Sequence, residues 1–146
     1  KAQYTERPDD YINNMERLSK KFETARSLVP RPEVVQTGKT KIGLIAFGTS
    51  DFAVRESRDQ LRNEYKLDTD YLRIRAYPFS REVHEFVASH DRVYVIEQNR
   101  DAQMLSLLKL DLKAEEIVKL RSILYFSGLP LDARSITDEL VTQEGI

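Results

Sequence analysis

The chain changes its hydrophobic rhythm once, near residue 40. Before that point Tyr11, Met15, Leu18, Phe22, Ala25 and Val29 recur at steps of three and four, which puts them on one stripe of a helix. Pro8 suits a first helical turn, and Asp9 and Asp10 favour the positive end of its dipole. Pro30 and Pro32 end it. This leading helix stands apart from residues 33–146. It either docks on them or links to an upstream domain.

From Lys41 strands and helices alternate. Ile42 to Phe47 is almost continuously apolar, as a strand buried on both faces is. Gly48-Thr49-Ser50-Asp51 breaks it, and a helix from about Phe52 to Tyr65 comes next. Val54, Ser57, Leu61 and Tyr65 face inward on that helix, and Arg55, Glu56, Arg58, Asp59 and Arg62 face outward. Asp70 to Arg75 reads as a strand, Arg81 to Ala88 as a short helix and Arg92 to Glu97 as a strand. Ala102 to Leu110 reads as a helix, with a charged helical stretch from Lys113 to Leu120. Ser122 to Phe126 reads as the next strand and Ser135 to Val141 as the last helix. Val34-Val35-Gln36 offers a short antiparallel edge strand. Such alternation predicts an α/β fold of βαβ units, a mostly parallel sheet with helices on both faces. The division expected is a leading helix and linker over residues 1–32 and an α/β domain over 33–146.

Composition narrows the function classes. The 146 residues suit one core of ordinary size, and 40% hydrophobic with 32% charged residues is ordinary for a globular protein. A net charge of -1 gives no pull toward nucleic acid or an acidic membrane, so neither is expected as a partner. No apolar run approaches the roughly 20 residues of a membrane helix. The absence of cysteine excludes disulfides, a thiolate zinc site and iron–sulfur ligands within the chain, and fits a cytoplasmic location. Beginning at Lys1 rather than Met, the chain reads as a piece of a longer polypeptide.

Two places invite a chemical reading. Gly48, Thr49 and Ser50 lie where a strand hands over to a helix, at the edge where open α/β sheets bind ligands and helix N-termini attract anions. The alternative is a turn at Gly48 with Ser50 or Asp51 capping the helix. Neither the three-glycine dinucleotide fingerprint nor the phosphate-loop ending is present, and Asp51 opposes an anion. Glu97-Gln98-Asn99, with Gln103 beyond, ends a buried strand in polar groups. These residues either touch a ligand or partner subunit, or they satisfy local backbone, with Asn99 capping the next helix; we favour the second. His84 and His90 are six apart with no metal motif between them, so no metal or catalytic role is expected of them. Arg73, Arg75, Arg81 and Arg92 cluster around the second and third strands of the alternating part, on solvated faces or against an acidic partner.

The ordered set of motifs resembles a known family. Its blocks are Glu6-Arg7-Pro8-Asp9-Asp10, Asn14-Met15-Glu16-Arg17-Leu18, Lys21-Phe22-Glu23-Thr24-Ala25 and Ala46-Phe47-Gly48-Thr49-Ser50. Leu72 to Phe79 and Val93 to Gln103 come after them in the same order. Together they span nearly the whole chain and resemble the C-terminal part of the α subunit, often a fused γ–α chain, of 2-oxoacid:ferredoxin oxidoreductases, most of all the 2-oxoglutarate type. The resemblance implies a transketolase C-terminal-domain-like fold, a three-layer α/β/α sandwich. It also implies oxidative decarboxylation of a 2-oxoacid onto coenzyme A, with electrons passed to ferredoxin. Thiamine diphosphate, magnesium and iron–sulfur clusters would be held mainly by the upstream α or γ–α domains and the β subunit. This domain would be a structural, subunit-contacting part of a heteromer, inactive alone and without catalytic or cofactor-binding residues. Gly48, Thr49, Ser50, Glu97, Asn99 and Gln103 remain as ligand or subunit contacts.

The family pattern Glu-x-Asn-x-x-Gly-Gln is met by Glu97, Asn99 and Gln103, but Ala102 replaces the glycine. Alanine is expected to remove any need for positive φ there. A second hypothesis is a free-standing flavodoxin-like or receiver-like module binding nucleotide or phosphate. A receiver needs paired acids after its first strand and an acid after its third. Here there is one acid, Asp51, and Glu97 in place of aspartate, which counts against it.

Overall fold

The computed structural model describes residues 3–38 and 40–146. After helix α1 (Pro8–Leu28) come strands β1 (Glu33–Val35) and β2 (Ile42–Phe47), helix α2 (Ser50–Tyr65), strand β3 (Asp70–Ile74) and helix α3 (Arg81–Ser89). Strand β4 (Arg92–Glu97), helices α4 (Gln103–Asp111) and α5 (Ala114–Ile117), strand β5 (Leu120–Leu124) and helix α6 (Ala133–Glu144) complete the chain. The sheet runs β1-β3-β2-β4-β5. All neighbours pair in parallel except the edge strand β1, which runs antiparallel to β3 with Val34 opposite Leu72.

The two-residue period of β2 sorts its side chains between two cores. Ile42, Leu44 and Ala46 join Val54 and Leu61 of α2 and Ile136 and Leu140 of α6. Ile45 joins Val83, Phe86 and Val87 of α3 and Leu105 and Leu108 of α4. The result is the expected three-layer α/β/α sandwich.

Three expectations change. Strand β5 begins at Leu120, two residues early, because Ser122 pairs with Val95 and Leu120 with Val93. The helical stretch read from Lys113 to Leu120 therefore shrinks to α5. Arg58, read as outward, is 9% exposed. Its guanidinium reaches across the start of β3 and donates to the Thr69 carbonyl from Nη2 (2.7 Å) and Nε (3.2 Å). Burial lowers its pKa from the ordinary arginine value. Three of the four clustered arginines have acidic partners within the chain, Arg73 by Asp51, Arg81 by Glu85 and Arg92 by Glu144, and Arg75 is exposed.

Helix α1 docks through its last turns. Phe22 meets Tyr77 edge-on at 5.7 Å between ring centroids, and Arg26 pairs with Asp111. None of its residues is buried.

Candidate functional site

The strand order reverses direction at β2. The connection through α2 places β3 on one side of it, and the return through α3 places β4 on the other. The loops after β2 and β4 diverge there, at the carboxyl edge where open α/β sheets form a crevice. Gly48, Thr49 and Ser50 line one wall, and residues 97–103 line the other.

Gly48 sits at φ 58, and a Cβ there would meet nothing within 4 Å, so its glycine serves conformation rather than space. Neither Ser50 nor Asp51 caps α2. The N-cap is Thr49, whose side chain makes no capping bond, and both following residues lie inside the helix. Asp51 turns inward, 4% exposed. It accepts from the Tyr71 hydroxyl (2.8 Å) and Arg55 Nε (3.0 Å), with Arg73 Nη1 at 3.4 Å. Burial, reinforced by the Asp51 acceptor, pushes the Tyr71 hydroxyl above its usual pKa.

Gln98 spans the crevice. Its Nε2 donates to Thr49 Oγ1 and Ser50 Oγ, both at 3.2 Å, and its Oε1 accepts from the Leu131 amide at 3.2 Å. The two walls singled out in the sequence are therefore joined by a side chain whose own role the sequence did not mark. Its place in the polar run Glu97-Gln98-Asn99 was the only hint.

Glu97 is fully buried beneath the start of α4. Its carboxylate accepts from the amides of Met104 (2.6 Å) and Leu105 (2.9 Å) and from Asn99 Nδ2 (2.8 Å). Asn99 Oδ1 accepts from the Gln103 amide (3.3 Å) and the Asp101 amide (3.1 Å). The first three amides of α4 are thus satisfied by the chain's own carboxylate and amide, which occupy the place an anion would take. Gln103 has an exposed side chain with no hydrogen bond among the described residues.

Ala102 corrects an expectation. It adopts φ 49, ψ 51, the left-handed region its β-carbon was expected to exclude. The turn must bring the chain back over Glu97 within five residues, and the capping geometry imposes the conformation. Such a residue costs about 1–2 kcal/mol when it is not glycine.

Of the exposed groups at this edge, Thr49, Gln98 and Gln103 offer neutral hydrogen bonds, and the charged Arg100 and Asp101 pair with each other at 2.8 Å. Among the described residues no group of three His, Cys, Asp or Glu side chains is placed to hold a metal ion. The chain has no cysteine for a cluster. The residues present therefore do not fit thiamine diphosphate with its magnesium, or an iron–sulfur centre, within this chain. No helix among the described residues is long and apolar enough to cross a membrane.

No protein-family model matches the sequence, and no curated protein matches it significantly. Solved structures do. The 2-oxoglutarate:ferredoxin oxidoreductase from Magnetococcus marinus, determined with 2-oxoglutarate, coenzyme A and succinyl-CoA bound, superimposes with a TM-score of 0.81 at 19% identity over 95% of this chain. The chain spans 24% of that protein's length. A split-gene transketolase, seen as an inactive β4 tetramer, matches 77% of this chain and 40% of its own at TM-score 0.59 and 16% identity. The α chain of a probable 2-oxoacid ferredoxin oxidoreductase from Thermoplasma acidophilum matches 80% of this chain and 98% of its own at TM-score 0.52 and 19% identity. These likenesses establish the fold. They also fall on the proteins that the ordered sequence motifs resemble.

Proposed function

We propose that this chain is the C-terminal domain of the α subunit of a thiamine-diphosphate-dependent 2-oxoacid:ferredoxin oxidoreductase. It acts as a structural and subunit-contacting part of a complex that converts a 2-oxoacid, such as 2-oxoglutarate, to an acyl-CoA. The observation that carries this reading is the superposition of 95% of the chain on a quarter of the Magnetococcus enzyme. A sequence resemblance drawn independently of structure points the same way. Thiamine diphosphate, magnesium, coenzyme A and the iron–sulfur cluster belong, in this reading, to upstream α or γ–α domains and the β subunit. The complex works in the cytoplasm.

The crevice supports this over a free-standing nucleotide-binding module. Gln98 bridges its walls, and Glu97 takes up the α4 amides that would otherwise meet a phosphate. Any contact to a ligand or partner at this edge falls to the exposed Thr49 and Gln103, with Gly48, the buried Ser50 and Asn99 shaping the loops.

The test is 2-oxoacid- and coenzyme A-dependent reduction of ferredoxin. Activity is expected only when the chain is assembled with the β subunit and the cofactor-bearing domains. Turnover by the isolated chain, or micromolar binding of flavin or nucleotide to it, would sink the proposal.

A further inference from the structure

His90 is the C-cap residue of α3 and is buried. Both nitrogens of its ring face acceptors. Nδ1 lies 2.7 Å from the Phe86 carbonyl, and Nε2 lies 3.2 Å from Asp70 Oδ2 at the start of β3. A neutral imidazole has one N–H and can donate to only one of them. The Ser89 hydroxyl, 3.2 Å from Nδ1, does not supply the missing hydrogen, because it donates to the Phe86 carbonyl at 2.9 Å. Asp70 does not supply it either. Its other oxygen accepts from the Thr37 amide (2.7 Å) and hydroxyl (3.0 Å), donors that favour a carboxylate over a carboxylic acid. Both contacts of the ring are therefore made together when it carries two protons, an imidazolium beside a carboxylate.

The surrounding elements favour that charge on balance. Asp70 supplies the opposite charge from β3, and the carbonyl end of α3 is the negative end of its dipole. Two cations oppose it, each engaged elsewhere. Arg58 of α2 donates to the Thr69 carbonyl, and its charge acts on Asp70 as well. Lys119, just ahead of β5, donates from Nζ to the Ala88 carbonyl at 2.8 Å. Asp91, the next residue, is exposed and lies 3.8 Å from Lys41. Strand β2 presents only Gly43 to the ring, and α3 presents the Phe86 ring, so neither adds a charge.

We propose that His90 is a proton-operated clamp between the end of α3 and the start of β3, closed when its ring carries two protons and opened when one leaves to solvent. The neutral ring keeps one acceptor and orphans the other in a buried place, either the Phe86 carbonyl or Asp70, and a buried acceptor without its donor is costly. The effect reaches further through Asp70, which holds the Thr37 amide in the loop after β1. It reaches β2 through Gly43, where the ring leaves no room for a β-carbon. The clamp sits at the amino edge of the sheet, opposite the crevice, and works the same way whichever reaction the assembly performs.

The chain has two histidines, so H84Q leaves the His90 ring alone in an imidazole 1H–15N spectrum. At about pH 6, below the ordinary imidazole midpoint of about 6.5, both ring nitrogens should carry protons, with the Nδ1 hydrogen slow to exchange. As the pH is raised until the ring loses a proton, hydrogen-exchange protection should fall in the same step. The fall should be about tenfold or more, at the Thr37 amide or at the amides of residues 89–91. In D70N the Thr37 amide should no longer follow the ring, because its charged acceptor is gone. The measurement on H84Q needs no change in the clamp itself, so a D70N chain that fails to fold does not blunt it. A folded chain whose ring carries a single proton at about pH 6, or a ring that titrates with protection unchanged at both ends, would overturn the proposal.

Discussion

Arg26 and Asp111 lie 85 residues apart in sequence and meet in a two-bonded ion pair, Nη1 to Oδ2 at 2.7 Å and Nη2 to Oδ1 at 2.8 Å. The pair clamps the last turn of α1 to the end of α4, and Arg26 also donates to the Phe79 carbonyl. His84 Nε2 stands 3.3 Å from the same Oδ2. Burial alone would raise the Asp111 carboxyl. The hydrogen bonds and charge of Arg26, with His84 beyond, outweigh it and hold the pKa below the ordinary value. A carboxylate depressed in the folded state contributes stability that is complete above its unfolded pKa of about 3.9 and is lost as pH falls through the folded value. Docking of α1 should therefore be insensitive to pH from neutrality down to about 4 and loosen below it. R26A should loosen it at neutral pH by about 1–2 kcal/mol. Hydrogen exchange of the α1 amides measures both; equal protection in R26A and wild type would show that the pair does not hold the helix.

Glu97 is buried with three donors on its carboxylate. Replacing it by alanine strips two α4 amides and Asn99 of their acceptor, leaving the Leu105 amide unsatisfied in a buried place and those of Met104 and Asn99 in half-buried ones. The expected loss is about 3 kcal/mol, within the range for breaking charged hydrogen bonds. E97Q keeps one acceptor and turns a donor toward the amides, so it should fall between. Urea unfolding at neutral pH gives the order; an E97A midpoint equal to wild type would contradict the capping role.

Ala102 makes the opposite prediction. Its left-handed conformation is costly for alanine and free for glycine. The unfolded chain gains freedom with glycine, which offsets about 0.5–1 kcal/mol of the relief. A102G should therefore be neutral to about 1 kcal/mol stabilising, whereas glycine inside a helix or strand destabilises. A loss beyond about 1 kcal/mol would mean that the alanine β-carbon makes packing worth more than the strain. Calorimetry of the two proteins decides.

These residues mark where sequence reading stopped. Ile42–Phe47 and Arg92–Glu97 were legible because a strand buried on both faces must be apolar throughout, a local signal. The antiparallel edge strand and the proline-bounded α1 were legible for equally local reasons. Arg58 was not, because its helical position points outward and only the approach of Thr69 draws its long side chain back. Ala102 was not, because its φ is imposed by Glu97 reaching beneath α4. The polar run 97–103 was visible at once, and so was its local role, with Asn99 and Glu97 taking up backbone donors at the start of the next helix; the bridge made by Gln98 was not. That Gln98 bridges while Glu97 caps depends on the crevice, which exists only once β2 and β4 lie side by side.

Gly43 gives the sharpest test of the packing that carries the site. It lies in β2 on the face covered by α3, and a β-carbon there would stand 2.7 Å from Phe86 Cε1, 2.9 Å from its Cζ and 3.2 Å from His90 Cγ. Neither ring can yield easily. Phe86 is 2% exposed and His90 is 2% exposed, and their ring centroids lie 4.4 Å apart at a tilt of 42°. His90 is further tethered, Nδ1 to the Phe86 carbonyl at 2.7 Å and Nε2 to Asp70 at 3.2 Å. Asp70 in turn accepts from the Thr37 amide at 2.7 Å, so the constraint runs through α3 and β3 to the loop after β1. G43A should cost about 1–3 kcal/mol, as overpacking in a full core does. Because the cause is steric, shortening the opposing ring should recover part of it. F86L alone opens space and destabilises, but the pair G43A/F86L should be less destabilised than the sum of the two single changes. Urea unfolding of all four proteins yields the coupling directly. Strict additivity would place the strain of Gly43→Ala somewhere other than against Phe86.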